Sequence, residues 1–352
     1  MSAVTSEGQA AFLGSALRIL LPIFLALLVG GLLLLAFGKD PLAYYGWVVE
    51  RGLLRASGLE ATITRAAPLL LIAAGLIVAF RAGIWNLGID GQFLLAAVGT
   101  AALAPVLVAT LPPWIVWLVC FALAAAIGAA WSLLPALLKA RYGINEIITT
   151  LMMSFLGVSF ANVLVKLAFN DPSTTVPQTL TLAVDDRLWR LFGTTVNAGI
   201  LLAALAIVLT HLLMTRSAFG LRLQIVGANP RAALHAGLNV GVLTYATFAL
   251  SAALVGVGGA VDILGVYGNV RADWNPGYGL LVVPLVFLAR FNGYGSALFV
   301  FFFSVLAIGG ESAARRLGVP NFFVLVLVGL LLIFLALVEY LDHRRRAKRG
   351  QL

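Results

Sequence analysis

Apolar runs separated by short polar breaks recur along the whole chain. A bilayer core about 30 Å thick needs about 20 mostly apolar residues per crossing helix. Read on that scale, helices are expected at 19–37, 63–80, 91–109, 114–138, 147–169, 197–214, 241–264, 279–289, 296–311 and 321–340. The run at 279–289 is too short to cross alone, so it reads as a half-helix or as a span starting near Trp274. The run at 19–37 lacks a small-x-small cleavage site and reads as a retained first helix. The expected fold is an all-α polytopic membrane protein. It has about ten transmembrane helices in a single domain over 1–352, with broken or re-entrant helices among them.

Composition sharpens this reading. Of the 352 residues, 62% are apolar and only 11% charged, with mean hydropathy +1.04. Soluble domains are roughly 45–50% apolar and about 25% charged, so the solvent for this surface must be lipid. Thirty-six glycines agree, because small residues let membrane helices approach closely. The net charge of +9 is concentrated in the tail His343–Arg349, directly after an apolar run. That is a cytoplasmic flank beside anionic lipid and not a nucleic-acid surface.

Placing the amino terminus in the cytoplasm puts thirteen cations at inside loops and tail against ten elsewhere. The bias has the sign the positive-inside rule requires, and an even helix count leaves both termini cytoplasmic. Two loops are longer than connection needs: 170–197 is expected outside and 215–239 inside. The Gly/Asn-rich breaks Asn86–Gln92 and Asn275–Gly279 each open an apolar run. Paired interruptions of that kind point to a transport site lined by broken helices.

Several chemistries have no footing in the sequence. There is no G-x-x-x-x-G-K-[ST], G-x-G-x-x-G, H-E-x-x-H or G-x-S-x-G. Cys120 stands alone and the three histidines are scattered, so neither a disulfide nor a metal cage is expected.

The inside loop carries the most information. Asn229 suits a helix cap, Pro230 the first helical position, and Gly237 a C-terminal stop. The product is a short alanine-rich helix, either a docking element or a connector on the membrane surface. The run Gly227–Val240, with Asn229, Pro230, Arg231, Ala232, Ala233, His235 and Gly237, resembles the G-x-N-P-x-A-A-x-x-x-G-[IL]-N-V loop of ATP-binding-cassette (ABC) importer permeases. The group in question includes the branched-chain amino acid, simple-sugar and nucleoside permeases. Gly83–Gln92 resembles its F-N-I-G-x-E-G-Q stretch, with Trp85 for Phe and Asp90 for Glu. Tyr142–Met152 resembles its G-x-N-E-[VI]-[IV]-x-T-[IL]-M motif. Gly277–Leu285 and Arg290–Gly295 resemble two further motifs, with Pro284 and Ala289 as departures. The likeness runs collinearly from about residue 62 to 340 and leans toward nucleoside-type members.

The resemblance implies a non-enzymatic, multi-pass permease subunit of the cell inner membrane, working by alternating access. Gly227 to Gly237 would be the coupling helix that docks on a separate cytoplasmic ATPase, where ATP and Mg are held; no cofactor is expected on this chain. An extracytoplasmic binding protein would deliver the solute. A second, related permease would complete the pathway more readily than a copy of this chain. Nucleoside ranks first as solute, simple sugar second, branched-chain amino acid third.

Physics offers its own reading of the same residues. Asn86, Gln92, Asn145 and Asn162 present paired donors and acceptors that suit a nucleobase or sugar. Trp85 and Trp274 either stack a base or anchor the membrane interface. Asp90 and Glu146 face the pathway, or serve as caps, or pair with Arg81 or Arg141. His211 reads as a packing or lipid-face residue. Asp262 and Glu311 read as solvated helix ends or members of a proton relay. An ion-coupled secondary carrier using these four carboxylates is the alternative; a lipid-modifying enzyme would need a catalytic cluster the sequence lacks. Ala252, Gly256 and Ala260 form a small-residue stripe expected to pack helices.

Overall fold

The computed structural model describes residues 20–320 and 322–348. Its helices, in chain order, are α1 Leu20–Ala36, α2 Pro41–Val49, α3 Ala56–Arg81, α4 Ile89–Leu107, α5 Pro113–Tyr142 and α6 Glu146–Val163. Then follow α7 Gly199–Arg216, α8 Ala218–Ala228, α9 Pro230–His235, α10 Val240–Asp262, α11 Tyr278–Leu288, α12 Gly293–Leu317 and α13 Phe323–Lys348. Among the described residues there is no strand, only two isolated bridges. Seven helices there are long and apolar enough to cross a membrane: α3, α4, α5, α6, α7, α10 and α12. The apolar stretches Leu20–Ala36, Tyr278–Leu288 and Phe323–Val338 are shorter.

Two boundaries correct the sequence expectation. Helix α3 starts at Ala56, well before the apolar run at 63. Glu60, inside it and partly open to solvent, accepts from Thr195 N at 2.9 Å and Thr195 Oγ1 at 2.6 Å. Helix α12 continues past Glu311 to Leu317, with Arg315 and Arg316 in the last turn, where cations are favoured. Helices α2 and α8 were not anticipated. Asp40 caps the first, ahead of Pro41, and Ser217 the second.

The chain divides into two compact units, and the dividing lines fall inside α3 and α12. The first comprises the described parts of Met1–Leu59 and Phe303–Leu352. Its core joins Leu34, Tyr44, Val48, Ala313, Val319, Phe323 and Leu327. Trp47 donates to Ser312 Oγ at 3.3 Å, and the Arg316 guanidinium lies 4.3 Å from the Trp47 ring centroid.

The second unit, Glu60–Phe302, holds the elements with candidate chemistry. Helix α3 is buried from Ala66 to Phe80, as a helix apolar on every side should be. Around it the helices meet through glycine. A Cβ on Gly128 of α5 would collide with Ala252 O of α10, and one on Gly256 of α10 with Ala124 O of α5. The Ala252–Gly256–Ala260 stripe is therefore a packing seam, as its spacing suggested. Gly91 of α4 and Gly157 of α6 make the other close crossing.

The 170–197 loop is stitched to the segment after α10. Thr179, Leu182 and Leu188 N donate to Val270, Gly268 and Leu264 O at 2.9–3.0 Å. Arg187 Nη1 donates to Val266 O at 2.7 Å.

Gly256→Ala should lower stability by about 1–3 kcal/mol, the usual cost of overpacking. Thermal unfolding in detergent measures it, with Gly46→Ala, where nothing lies within 4 Å, as the unaffected control.

Candidate solute pathway and coupling loop

Helix α3 ends at Arg81 and α4 starts at Ile89, so seven residues of non-helical backbone lie between two apolar helices. Such a break is tolerated in a membrane only where side chains satisfy the freed groups. Asn86, fully buried, fills that role. Its Oδ1 accepts from Gly88 N at 3.2 Å and Gln92 Nε2 at 3.0 Å. Its Nδ2 donates to Gln92 Oε1 and Ser251 Oγ, both at 3.1 Å. Both lone pairs and both hydrogens of the amide are thereby used. Leu87 N and Gly91 N reach Thr150 Oγ1 and Ser154 Oγ on α6 at 3.1 and 3.3 Å.

The depth of this break follows from its neighbours. Leu87 N meets Thr150, four residues or about 6 Å into α6. The 26-residue α3 ahead of it is already long enough to cross a ~30 Å core. The break therefore follows a full span, and the start of α4 lies deeper than it. Helix α11, at 11 residues, is about 16 Å long and covers half the thickness.

The two breaks meet. Asp90, in the first turn of α4, accepts from Gly279 N in the first turn of α11 at 2.8 Å. A carboxylate there complements the positive ends of both helices. Gly277, at φ +64°, supplies the left-handed turn that aims α11 inward. Asp90 pairs with neither Arg81 nor Arg141. Arg81 donates instead to Phe291 O at 3.1 Å and Met214 O at 3.4 Å. Glu146 pairs with Lys139 at 2.6 Å, again not with either arginine.

The remaining residues singled out in the sequence fall in two places. Trp85, 37% exposed, stacks on Phe287 with ring centroids 5.2 Å apart. Asn145 caps α6 through Ile147 N at 2.8 Å. Asn162 Oδ1 accepts from Asp273 N at 2.7 Å, which secures the strap leading into α11. Trp274, on that strap, packs edge-on to Tyr267 at 5.0 Å and tilted to Phe93 at 6.2 Å. His211 Nδ1 accepts from Gly293 N at 3.3 Å, a packing role as expected.

Asp262 departs from expectation. The carboxylate is 3% exposed and not a solvated helix end. Its electrostatic neighbours are Arg65 of α3 and Tyr278 of α11, with the Arg65 guanidinium 5.9 Å from the Tyr278 ring centroid. Arg65, Tyr278, Thr150, Ser154 and Ser251 escaped the sequence reading. Single polar residues inside long apolar runs give no local signal of which neighbour they will meet.

The 227–237 loop folds as its capping residues require. Asn229 Oδ1 accepts from Arg231 N and Ala232 N, both at 3.1 Å, with Pro230 first in α9 and Gly237 at φ +78°. Ala233 is buried, while Arg231, Ala232, Leu234 and His235 are exposed. Behind α9, the last turn of α8 touches the end of α3. A Cβ on Gly83 would lie 2.9 Å from Gly227 Cα, and one on Gly227 2.7 Å from Arg81 O. Backbone therefore rests on backbone where the loop meets the 82–88 break.

Residues 58–336 match the family of branched-chain amino acid transport system permease components. The chain belongs to this permease family. It is 32% identical over 337 residues to a glucose ABC transporter permease protein, TsgB13, of Haloferax volcanii, covering 92% of this permease and 88% of that protein. A guanosine ABC transporter permease protein, NupP, of Bacillus subtilis is 27% identical over 322 residues, covering 90% and 92%. A nucleoside ABC transporter permease protein, NupB, of Lactococcus lactis is 25% identical over 327 residues, covering 90% and 89%. Family and apolar spans together make this a multi-pass membrane protein, a transport subunit and not an enzyme.

Asn86→Ala would strand the Gln92 amide and the Gly88 N–H inside the permease. A loss of about 1–3 kcal/mol per unsatisfied group is expected, read as a lowered unfolding temperature in detergent.

Proposed function

We propose that the chain is the membrane-spanning permease subunit of an ABC importer that carries a sugar-bearing solute, a nucleoside or a free sugar. The observation that carries this is the exposed α9, capped by Asn229, seated on backbone that leads directly into the 82–88 break. Relatives named for glucose, nucleosides and guanosine share a sugar ring, which favours this solute class over a branched-chain amino acid. In this reading ten helices cross the inner membrane and both termini are cytoplasmic. ATP and Mg bind the separate ATPase, and a binding protein delivers the solute. Lactococcus lactis and Bacillus subtilis each hold a pair of such relatives, NupB with NupC and NupP with NupQ. That supports a related membrane partner over a second copy.

The pathway residues then divide by role. Trp85, Asp90 and Trp274 stand beside the two breaks and face the solute as it passes. Asn86 and Gln92 hold the break in shape, Asn145 and Glu146 order the start of α6, and Asn162 fixes the strap. ATP-driven movement of α9 passes through the Gly227–Gly83 contact to residues 84–88. This is a two-state element biased by a distant ligand, as coupling requires.

Arg231→Glu, on the exposed face of α9, should abolish ATP-dependent uptake in proteoliposomes holding all four components, and the ATPase should no longer co-purify. Uptake that persists without ATP and follows a proton gradient would instead establish the ion-coupled carrier. Gly227→Ala should behave differently. The ATPase still co-purifies and hydrolyses ATP, but solute-stimulated uptake falls about tenfold, ~1.4 kcal/mol of coupling, within the range typical of linked sites. A full loss of ATPase binding in Gly227→Ala would reduce the contact to a folding role.

A further inference from the structure

Between α7 and α10 the surface opens into a groove of about 580 Å³. Leu202, Leu209 and Leu213 of α7 and Leu250 and Leu254 of α10 line it, and Arg216 closes one end. We propose that this groove is a binding site for one anionic phospholipid, with an acyl chain along the leucines and the phosphate against Arg216.

Three observations favour a lipid as the occupant. The first is length. Leu202 to Leu213 spans about 16 Å along α7, the depth of one leaflet of a ~30 Å core. Arg216 follows within one turn, at the level where an acyl chain gives way to its headgroup. The second is charge. Arg216 is exposed and forms no ion pair among the described residues. The stretch 199–228 contains Arg216 and Arg222 and no acidic residue, so an anion is the complementary partner.

The third is texture. The tightest helix crossings of the second unit run through Gly and Ala, as at Gly128–Ala252 and Gly256–Ala124. The groove is walled by branched leucines with Ala206 as its single small apolar residue. Small residues favour close backbone approach of membrane helices, and this groove lacks the Gly/Ala seam of those crossings. A flexible acyl chain fits between its leucines.

A local probe tests this without reference to transport. A Leu209→Cys variant of the full chain, at a position 54% exposed, is labelled with bimane; the native Cys120 is buried and does not compete. The labelled chain is reconstituted in phosphatidylcholine vesicles carrying a small fraction of brominated phosphatidylglycerol or brominated phosphatidylcholine. Brominated phosphatidylglycerol should half-quench the label at about fivefold lower mole fraction, which converts to ~1 kcal/mol, the value of one basic side chain at an anionic surface. Arg216→Gln in the labelled chain should erase that preference and Arg216→Lys should keep most of it. Equal quenching by the two lipids, or a preference that survives Arg216→Gln, overturns the proposal. So does a label shielded from both lipids while the unlabelled Leu209→Cys variant cross-links between chains, for then a second copy covers the groove.

Discussion

Backbone polar groups released where a helix breaks inside a bilayer must find partners within the protein, because hydrocarbon offers none. Much of the second unit is arranged around that constraint. The 82–88 break follows the α3 span, and its Gly88 and Leu87 N–H groups are met by Asn86 and Thr150, with Ser154 meeting Gly91 N just inside α4. Gly279 N at the start of α11 is met by Asp90. Since Asn86 spends its whole hydrogen-bonding capacity on Gly88, Gln92 and Ser251, three elements become tied at one point. The loop before α4, the start of α4 and the middle of α10 are joined there, and Asp90 adds the start of α11.

Close packing stiffens the surroundings of this knot. The α5–α10 and α4–α6 crossings place backbone on backbone through Gly128, Gly256, Gly91 and Gly157, which leaves little soft side-chain volume to absorb displacement. The same device recurs at Gly83 and Gly227, between the loop that bears α9 and the end of α3. By contrast, the α7–α10 groove is open and leucine-walled, a surface suited to fluid lipid and not to a rigid neighbour.

How far the sequence could be read depended on the range of the interaction. Elements governed by neighbours within four residues were legible. The Asn229–Pro230–Gly237 helix formed as its cap, first position and stop required. The small-residue stripe of α10 became a packing seam, and the 279–289 run proved a short helix. Helix ends that depend on distant partners were not legible. Nothing near Glu60 in the chain announces Thr195, its partner in the early turns of α3, which starts seven residues before its apolar run. Asp90 and Glu146 carried an equally local ambiguity, and the structure resolved both against the arginines proposed for them.

By itself, then, the sequence determined the solvent, the helical class and the loop that resembles a coupling element. Those follow from composition, from runs about 20 residues long and from capping residues within one turn. Tertiary structure alone decided that the two glycine-rich breaks touch, that Asp262 is buried beside Arg65 and Tyr278, and that Gly83 meets Gly227. Each of these joins residues far apart in the chain. Inside a bilayer their pairing is selected by which helices pack together, and an apolar run looks the same whichever neighbour it will face.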